Sequence, residues 1–231
     1  VKLISFKTLI LSLPVWYFRF TLFNLRRMLM NKSFIIKIII LCLVTIKVSA
    51  IEKIVLYGDS LMAGYGLPKE QHLSNVLQKN LQLDGFKIEI MNGSVSGSTS
   101  SGGLNRAEWT LSENGIDLMI LCLGANDMLR GIDPKETKNN LEEIIKIAQE
   151  KKIKVIIAGM IAPSSYGIEY KKIFDTIFKE LSNQYNLQLI PFLLEGVAQK
   201  AEYNLSDGMH PNDKGTIIIS NTLKKAIMEN L

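Results

Sequence analysis

The feature of this chain that most constrains its fold is a fivefold alternation of short aliphatic runs with longer amphipathic stretches. Lys53 to Tyr57, Lys87 to Met91, Asp117 to Leu123, Lys154 to Met160 and Gln188 to Ile190 read as strands, and their apolar residues are continuous rather than alternating. A strand that is apolar on both faces must be covered on both, which is the condition of a parallel sheet between two helix layers. The stretches between supply the helices. Leu73 to Leu83, Gly103 to Asn114, Pro134 to Lys152, Tyr170 to Tyr185 and Lys214 to Glu229 place apolar residues at three- and four-residue spacing, with Ile173, Ile177 and Leu181 as the stripe of the fourth. Strand and helix taking turns predict a doubly wound α/β sandwich with a five-stranded parallel sheet, whose ligands collect at the carboxyl ends of the strands.

The alternation starts only at residue 51, and the segment before it differs in kind. Of 27 basic and 22 acidic residues, eight basic and no acidic ones fall within residues 1–50, so the remainder holds 19 basic against 22 acidic groups. The high isoelectric point belongs to the leader, and the body offers no basic patch for nucleic acid. From Met30 the leader runs through Lys32, an apolar stretch from Phe34 to Ile46 broken only by Lys37, and Val48-Ser49-Ala50, the layout of a secretory signal peptide. An apolar run of about a dozen residues is short for a span that needs about 20. Cleavage between Ala50 and Ile51 is therefore expected in preference to a retained anchor, giving an exported, periplasmic or secreted protein without stable membrane insertion. Leu41 before Cys42 disfavours lipidation, and residues 1–29 read as a start site set too far upstream. Cys122 is then the only cysteine of residues 51–231, so no intramolecular disulfide can form, and one domain of about 180 residues must stand on its hydrophobic core. A monomer is expected.

Chemistry-bearing residues cluster at the ends of the expected strands. Gly58-Asp59-Ser60-Leu61 follows the first, where a strand-to-helix turn presents the Ser60 hydroxyl at the sheet's edge; taken alone, Asp and Ser there read more readily as a loop or a helix cap. Asn92-Gly93-Ser94-Val95-Ser96-Gly97-Ser98-Thr99 follows the second, and a glycine in such a loop lets a backbone N–H approach an oxyanion. Gly124-Ala125-Asn126-Asp127 follows the third, offering either an Asn donor or an Asx turn. Near the C-terminus, Asp207 and His210 share one short loop, Ser206-Asp207-Gly208-Met209-His210-Pro211-Asn212. That spacing lets the carboxylate hold one ring nitrogen's proton while the other nitrogen faces a serine. His72, the only other histidine, sits at a helix start, where a surface or capping role is the natural one. Cys122 lies inside the apolar run Leu118 to Leu123 and reads as a buried hydrophobe rather than a nucleophile.

Taken in order, Gly-Asp-Ser, a loop glycine, Gly-x-Asn-Asp and Asp-x-x-His resemble the SGNH (GDSL) hydrolase family over nearly all of residues 51–231. Tyr57-Gly58-Asp59-Ser60-Leu61 with Ala63-Gly64-Tyr65, Leu129-Arg130-Gly131, and Ile190-Pro191-Phe192 are similar to its bacterial periplasmic acyl-CoA thioesterases, arylesterases and lysophospholipases. The resemblance implies a flavodoxin-like three-layer α/β/α sandwich, Ser60 as nucleophile, His210 as base and Asp207 as its orienter. It also implies an oxyanion hole made of the Ser60 amide, the Gly97 amide and the Asn126 side chain. Ala125 stands where this subgroup often has Gly. Small-molecule acyl esters or thioesters are the implied substrates, with neither cofactor nor metal required, and the acyl groove is expected beside the loops after Gly97, Asn126 and Met160. A carbohydrate O-acetylesterase with the same triad is the alternative enzyme, and a non-catalytic lipid-binding module the alternative outside catalysis. Ser60 is not set in Gly-x-Ser-x-Gly, so an ordinary α/β-hydrolase elbow is not indicated, and no phosphate loop supports a nucleotide binder.

Overall fold

The computed structural model describes residues 51–231. The export signal and the doubtful upstream start, read over residues 1–50, lie outside the described residues. Strands β1 (Lys53–Gly58), β2 (Glu89–Asn92), β3 (Leu118–Cys122), β4 (Lys154–Ala158) and β5 (Gln188–Ile190) form one parallel sheet in the order β2-β1-β3-β4-β5. The continuous aliphatic runs become the buried centre, as the pattern requires: every residue of β3, and β1 from Ile54 onward, is buried. In register, Gly58 at the end of β1 stands opposite Cys122 at the end of β3.

The helices are α1 (Ser60–Ala63), α2 (Leu73–Leu83), α3 (Ser100–Thr110), α4 (Ala125–Leu129), α5 (Pro134–Glu150), α6 (Ile168–Tyr185) and α7 (Asp213–Met228). Helix α2 packs with α7, while α5 packs with both α3 and α6, giving the two outer layers of the flavodoxin-like sandwich. Among the described residues no helix is long and apolar enough to cross a membrane.

Helices α3 and α6 depart from the sequence reading. Helix α3 begins at Ser100 rather than Gly103 because the Thr99 hydroxyl caps it, accepting from the Gly102 N–H at 3.2 Å, and this outweighs the poor helix propensity of Ser-Ser-Gly-Gly. The same helix ends at Thr110, short of the expected Asn114. In α6 the buried stripe is Phe174, Ile177, Phe178 and Leu181, whereas Ile173 is 37% exposed, so the expected stripe was turned by one residue. The two large phenyl groups take the core side. Helices α1 and α4 are too short to carry a readable period, and both lie at the carboxyl edge of the sheet.

Candidate active site

The turn after β1 exists because residue 58 is glycine. A Cβ there would lie 2.7 Å from the Cys122 carbonyl oxygen and 2.8 Å from the Met62 sulfur, so any side chain would push β1 away from β3 or displace α1. Asp59 caps α1 by accepting from the Leu61 N–H at 3.0 Å, which puts Ser60 in the first turn with its side chain partly exposed. Gly64, at φ +88°, ends the helix, and the His72 ring occupies the space where a side chain would stand. His72 Nε2 lies 3.0 Å from the Leu67 carbonyl, so this histidine packs on the turn; it stands at the N-cap position of α2 but makes no side-chain cap hydrogen bond there.

The structure brings Ser60, His210 and Asp207 together. Ser60 Oγ is 2.9 Å from His210 Nε2, and His210 Nδ1 is 2.7 Å from Asp207 Oδ2. The loop is shaped by its own backbone: Gly208 sits at φ +70°, and the Leu205 N–H donates to the His210 carbonyl at 2.7 Å. Asp207 Oδ1 accepts the Met209 and His210 N–H groups at 2.9 and 3.0 Å. These two backbone donors, followed by the ring, hold the Asp207 carboxyl down at about 2, so it is ionised at any working pH. Beyond the loop, Asn212 caps α7 through the Lys214 and Gly215 N–H groups. The Tyr65 ring lies over the imidazole, centroids 4.4 Å apart at 37°.

Gly97 and Asn126 line the same cavity as Ser60 and His210. Gly97 stands at φ +79°, a conformation that strains any other L-residue, and its carbonyl accepts from Arg130 Nη2 at 3.0 Å. Among the described residues, neither the Ser60 nor the Gly97 N–H donates to another protein group. Asn126 Nδ2 donates to Asp59 Oδ2 at 3.3 Å. Its neighbour Asp127 turns the other way: fully buried, it accepts from the Ser100 N–H at 2.8 Å, the Ser100 hydroxyl and the Thr137 hydroxyl at 3.2 Å. The Gly-x-Asn-Asp motif thus divides into a residue that faces the cavity and one that joins α4 to α3 and α5.

The cavity holds about 910 Å³, and its apolar wall includes Leu61, Leu129, Ile161, Phe192, Leu194 and Met209. Of the expected borders, the segments after Asn126 and Met160 line it, whereas the β2 loop contributes Ser96 and Gly97 and nothing beyond them. The wall from Phe192 to Lys200 was not anticipated, because that segment has no period to read. Sequence reasoning also passed over Arg106. Its guanidinium lies 4.1 Å over the Tyr57 ring and donates to the Gly93 and Gly58 carbonyls at 2.6 and 2.9 Å, joining the two loops that carry Gly97 and Ser60. Cys122 is fully buried, and burial pushes its thiol well above the ordinary range, which disarms it as a nucleophile.

The chain is similar in sequence and in fold to esterases of the SGNH hydrolases, and the protein is an ester-hydrolysing enzyme of that class. More particularly, the chain belongs to the GDSL-like Lipase/Acylhydrolase family, whose sequence profile matches residues 56–216. It is 35% identical over 182 residues to an arylesterase of Vibrio mimicus, covering 79% of this chain and 91% of that one. It is 29% identical over 187 residues to the thioesterase 1/protease 1/lysophospholipase L1 of Escherichia coli K12, covering 81% of this chain and 88% of that one. The crystal structure of the psychrotrophic esterase EstA from Pseudoalteromonas sp., inhibited by monoethylphosphonate, superposes with a TM-score of 0.74 at 31% identity, covering 77% of this chain and 97% of that one.

Proposed function

We propose that this enzyme hydrolyses esters and thioesters of apolar acyl groups through an acyl-enzyme on Ser60. The observation that carries the proposal is the continuous chain from Ser60 Oγ through both nitrogens of His210 to Asp207, at 2.9 and 2.7 Å. An ionised carboxylate only accepts hydrogen bonds, so Asp207 fixes the ring proton on Nδ1 and leaves the Nε2 lone pair facing the serine. Nε2 takes the hydroxyl proton as Oγ attacks the acyl carbon. The resulting oxyanion accepts from the Ser60 N–H, the Gly97 N–H and Asn126 Nδ2, and the imidazolium returns the proton to the departing alcohol or thiol. Water then repeats the sequence on the acyl-enzyme, releasing the acid and restoring Ser60. The names borne by the relatives, arylesterase and thioesterase/lysophospholipase, support this substrate class.

A cavity of about 910 Å³ with an apolar wall favours an acyl chain over an acetyl group, which needs only a shallow pocket and which a carbohydrate O-acetylesterase would bind. The proposal includes export: the signal read over residues 30–50 is removed, and residues 51–231 work as a monomeric domain outside the cytoplasm. The test is a panel of nitrophenyl esters from acetyl to palmitoyl with one acyl-CoA, assayed on wild-type and Ser60→Ala protein. Turnover rising with chain length beyond acetyl is expected. A clear optimum at acetyl would favour the carbohydrate O-acetylesterase reading, and activity surviving in a folded Ser60→Ala protein would remove Ser60 from the mechanism.

A further inference from the structure

Asp59 is fully buried beside the proposed nucleophile, and the mechanism above makes no use of it. Its oxygens serve different partners: Oδ1 accepts from the Leu61 N–H at 3.0 Å and Oδ2 from Asn126 Nδ2 at 3.3 Å. The first bond caps α1, and an Asn at 59 would cap as well without a charge to desolvate. Capping alone therefore does not account for a carboxylate. The second bond does. An amide has a donor end and an acceptor end and can turn either toward a neighbour, but a carboxylate admits only the donor end. With one Nδ2 hydrogen held by Asp59, the other is left on the same end of the amide for the cavity that Asn126 lines.

We propose that Asp59 is a positioning residue that fixes which end of Asn126 is offered to the developing oxyanion. It touches no substrate and acts through Asn126, so the inference rests on the oxyanion role proposed for that residue. An Asn at 59 cannot substitute. Both partners are donors, and an amide has only one acceptor end; Leu61 is backbone and cannot turn, so Asn126 is the group that rotates and withdraws its N–H. Keeping the acid in this place has a cost, since burial raises the Asp59 carboxyl to about 6 despite the hydrogen bonds from Leu61 and Asn126. The titratable or charged groups around it are His210, Asp127, Arg106 and Cys122.

A double-mutant cycle on the whole enzyme tests this. Asn126→Ala is expected to lower kcat by about 10²–10³, the usual effect of losing one oxyanion donor, with KM little changed. Asp59→Asn is expected to lower kcat at least about tenfold with the same indifference of KM, and to cost less than about twofold when added to Asn126→Ala. A kcat within about twofold of wild type for Asp59→Asn, or losses that multiply in the double mutant, would overturn the proposal while leaving Asn126 in place. An Asn126→Ala enzyme with unchanged kcat would instead remove the oxyanion role and this inference with it. Should Asp59→Asn not fold, the natural acid carries the test by NMR in a His210→Ala background, where no imidazole titrates beside it. There the Asn126 side-chain amide signals, identified by their loss in Asn126→Ala, are expected to move as pH falls through the Asp59 titration at about 6. Signals that hold still from about pH 8 to about pH 3 would overturn the proposal, because that range brackets both the raised and the ordinary carboxyl titration.

Discussion

Replacing Asp207 by Asn separates the two jobs of that carboxylate. Oδ1 holds the loop through the Met209 and His210 N–H groups, and the oxygen of an amide can keep both bonds. Oδ2 faces His210 Nδ1 at 2.7 Å, and there the variant places an NH₂ group. Two donors cannot share one hydrogen bond, so the ring is driven to the other tautomer, with its proton on Nε2 facing Ser60. A base that already holds a proton cannot take the serine's. The same exchange in a serine-protease triad lowers kcat by about 10⁴. Asp207 is more exposed than a protease triad acid, so water can replace part of what is lost, and about 10³ is expected here, or about 4 kcal/mol at 1.36 kcal/mol per decade. The assay is kcat and KM on a nitrophenyl ester across pH, with thermal unfolding alongside. KM and melting temperature are expected to change little. A kcat within about tenfold of wild type, in a protein where Ser60→Ala is inactive, would refute the reasoning and assign the orienting role to another group.

Other outcomes follow from the packing and the titrating groups. Phe174→Ala should destabilise by about 3–5 kcal/mol and Ile173→Ala by under about 1 kcal/mol, measured by urea unfolding; equal losses would contradict the observed stripe of α6. Gly97→Ala meets no neighbouring atom but must adopt a positive φ, so a loss of about 1–3 kcal/mol in stability and a fall in kcat are expected; an unchanged enzyme would mean that the loop has no such constraint. Asp59 is held at about 6 when folded, against an ordinary value of 3.8, so the folded chain binds the extra proton between these values. Its contribution to stability is complete below the lower value and is lost as pH rises through the upper one, and Asp59→Asn should flatten that part of the curve of unfolding free energy against pH. N-terminal sequencing of exported protein should begin at Ile51, and a sequence starting at or before Met30 would remove the signal peptide.

The strands and the chemistry-bearing motifs were legible because each is local. A continuous aliphatic run can be read as a doubly covered strand, and Asp207-Gly208-Met209-His210 announces its own geometry, since the carboxylate caps the very turn that carries the ring. What stayed hidden depends on partners distant in sequence. Gly-Asp-Ser suggested a cap, and Asp59 is one, yet its bond to Asn126 spans 67 positions and has no local trace. Arg106 sits in an unremarkable helix, and only the folded sheet shows that its guanidinium holds the ends of β1 and β2. The start of α3 at Ser100 rests on one threonine hydroxyl, which apolar spacing does not reveal.

The topology explains why a serine at position 60 meets a histidine at position 210. The chain leaves β1 for β2 on one side and then crosses back to β3 on the other, so β1 and β3 flank the point where strand order reverses, and a crevice opens at their carboxyl ends. Ser60 and Asn126 occupy those two ends. Strand β5 lies at the far edge, yet α7 packs on α2, with Lys224 bonded to Asp84 at 2.8 Å and Asn80 to Asn221 at 2.8 Å. The segment from Pro191 to Asn212 must therefore run from the β5 edge back across the carboxyl end of the sheet. Its first half becomes the unanticipated wall of the groove. Its second half brings His210 to Ser60 just before α7 begins, so the docking of α7 on α2 sets the reach of the loop of Asp207 and His210, and one excursion of the chain supplies both this wall and that histidine.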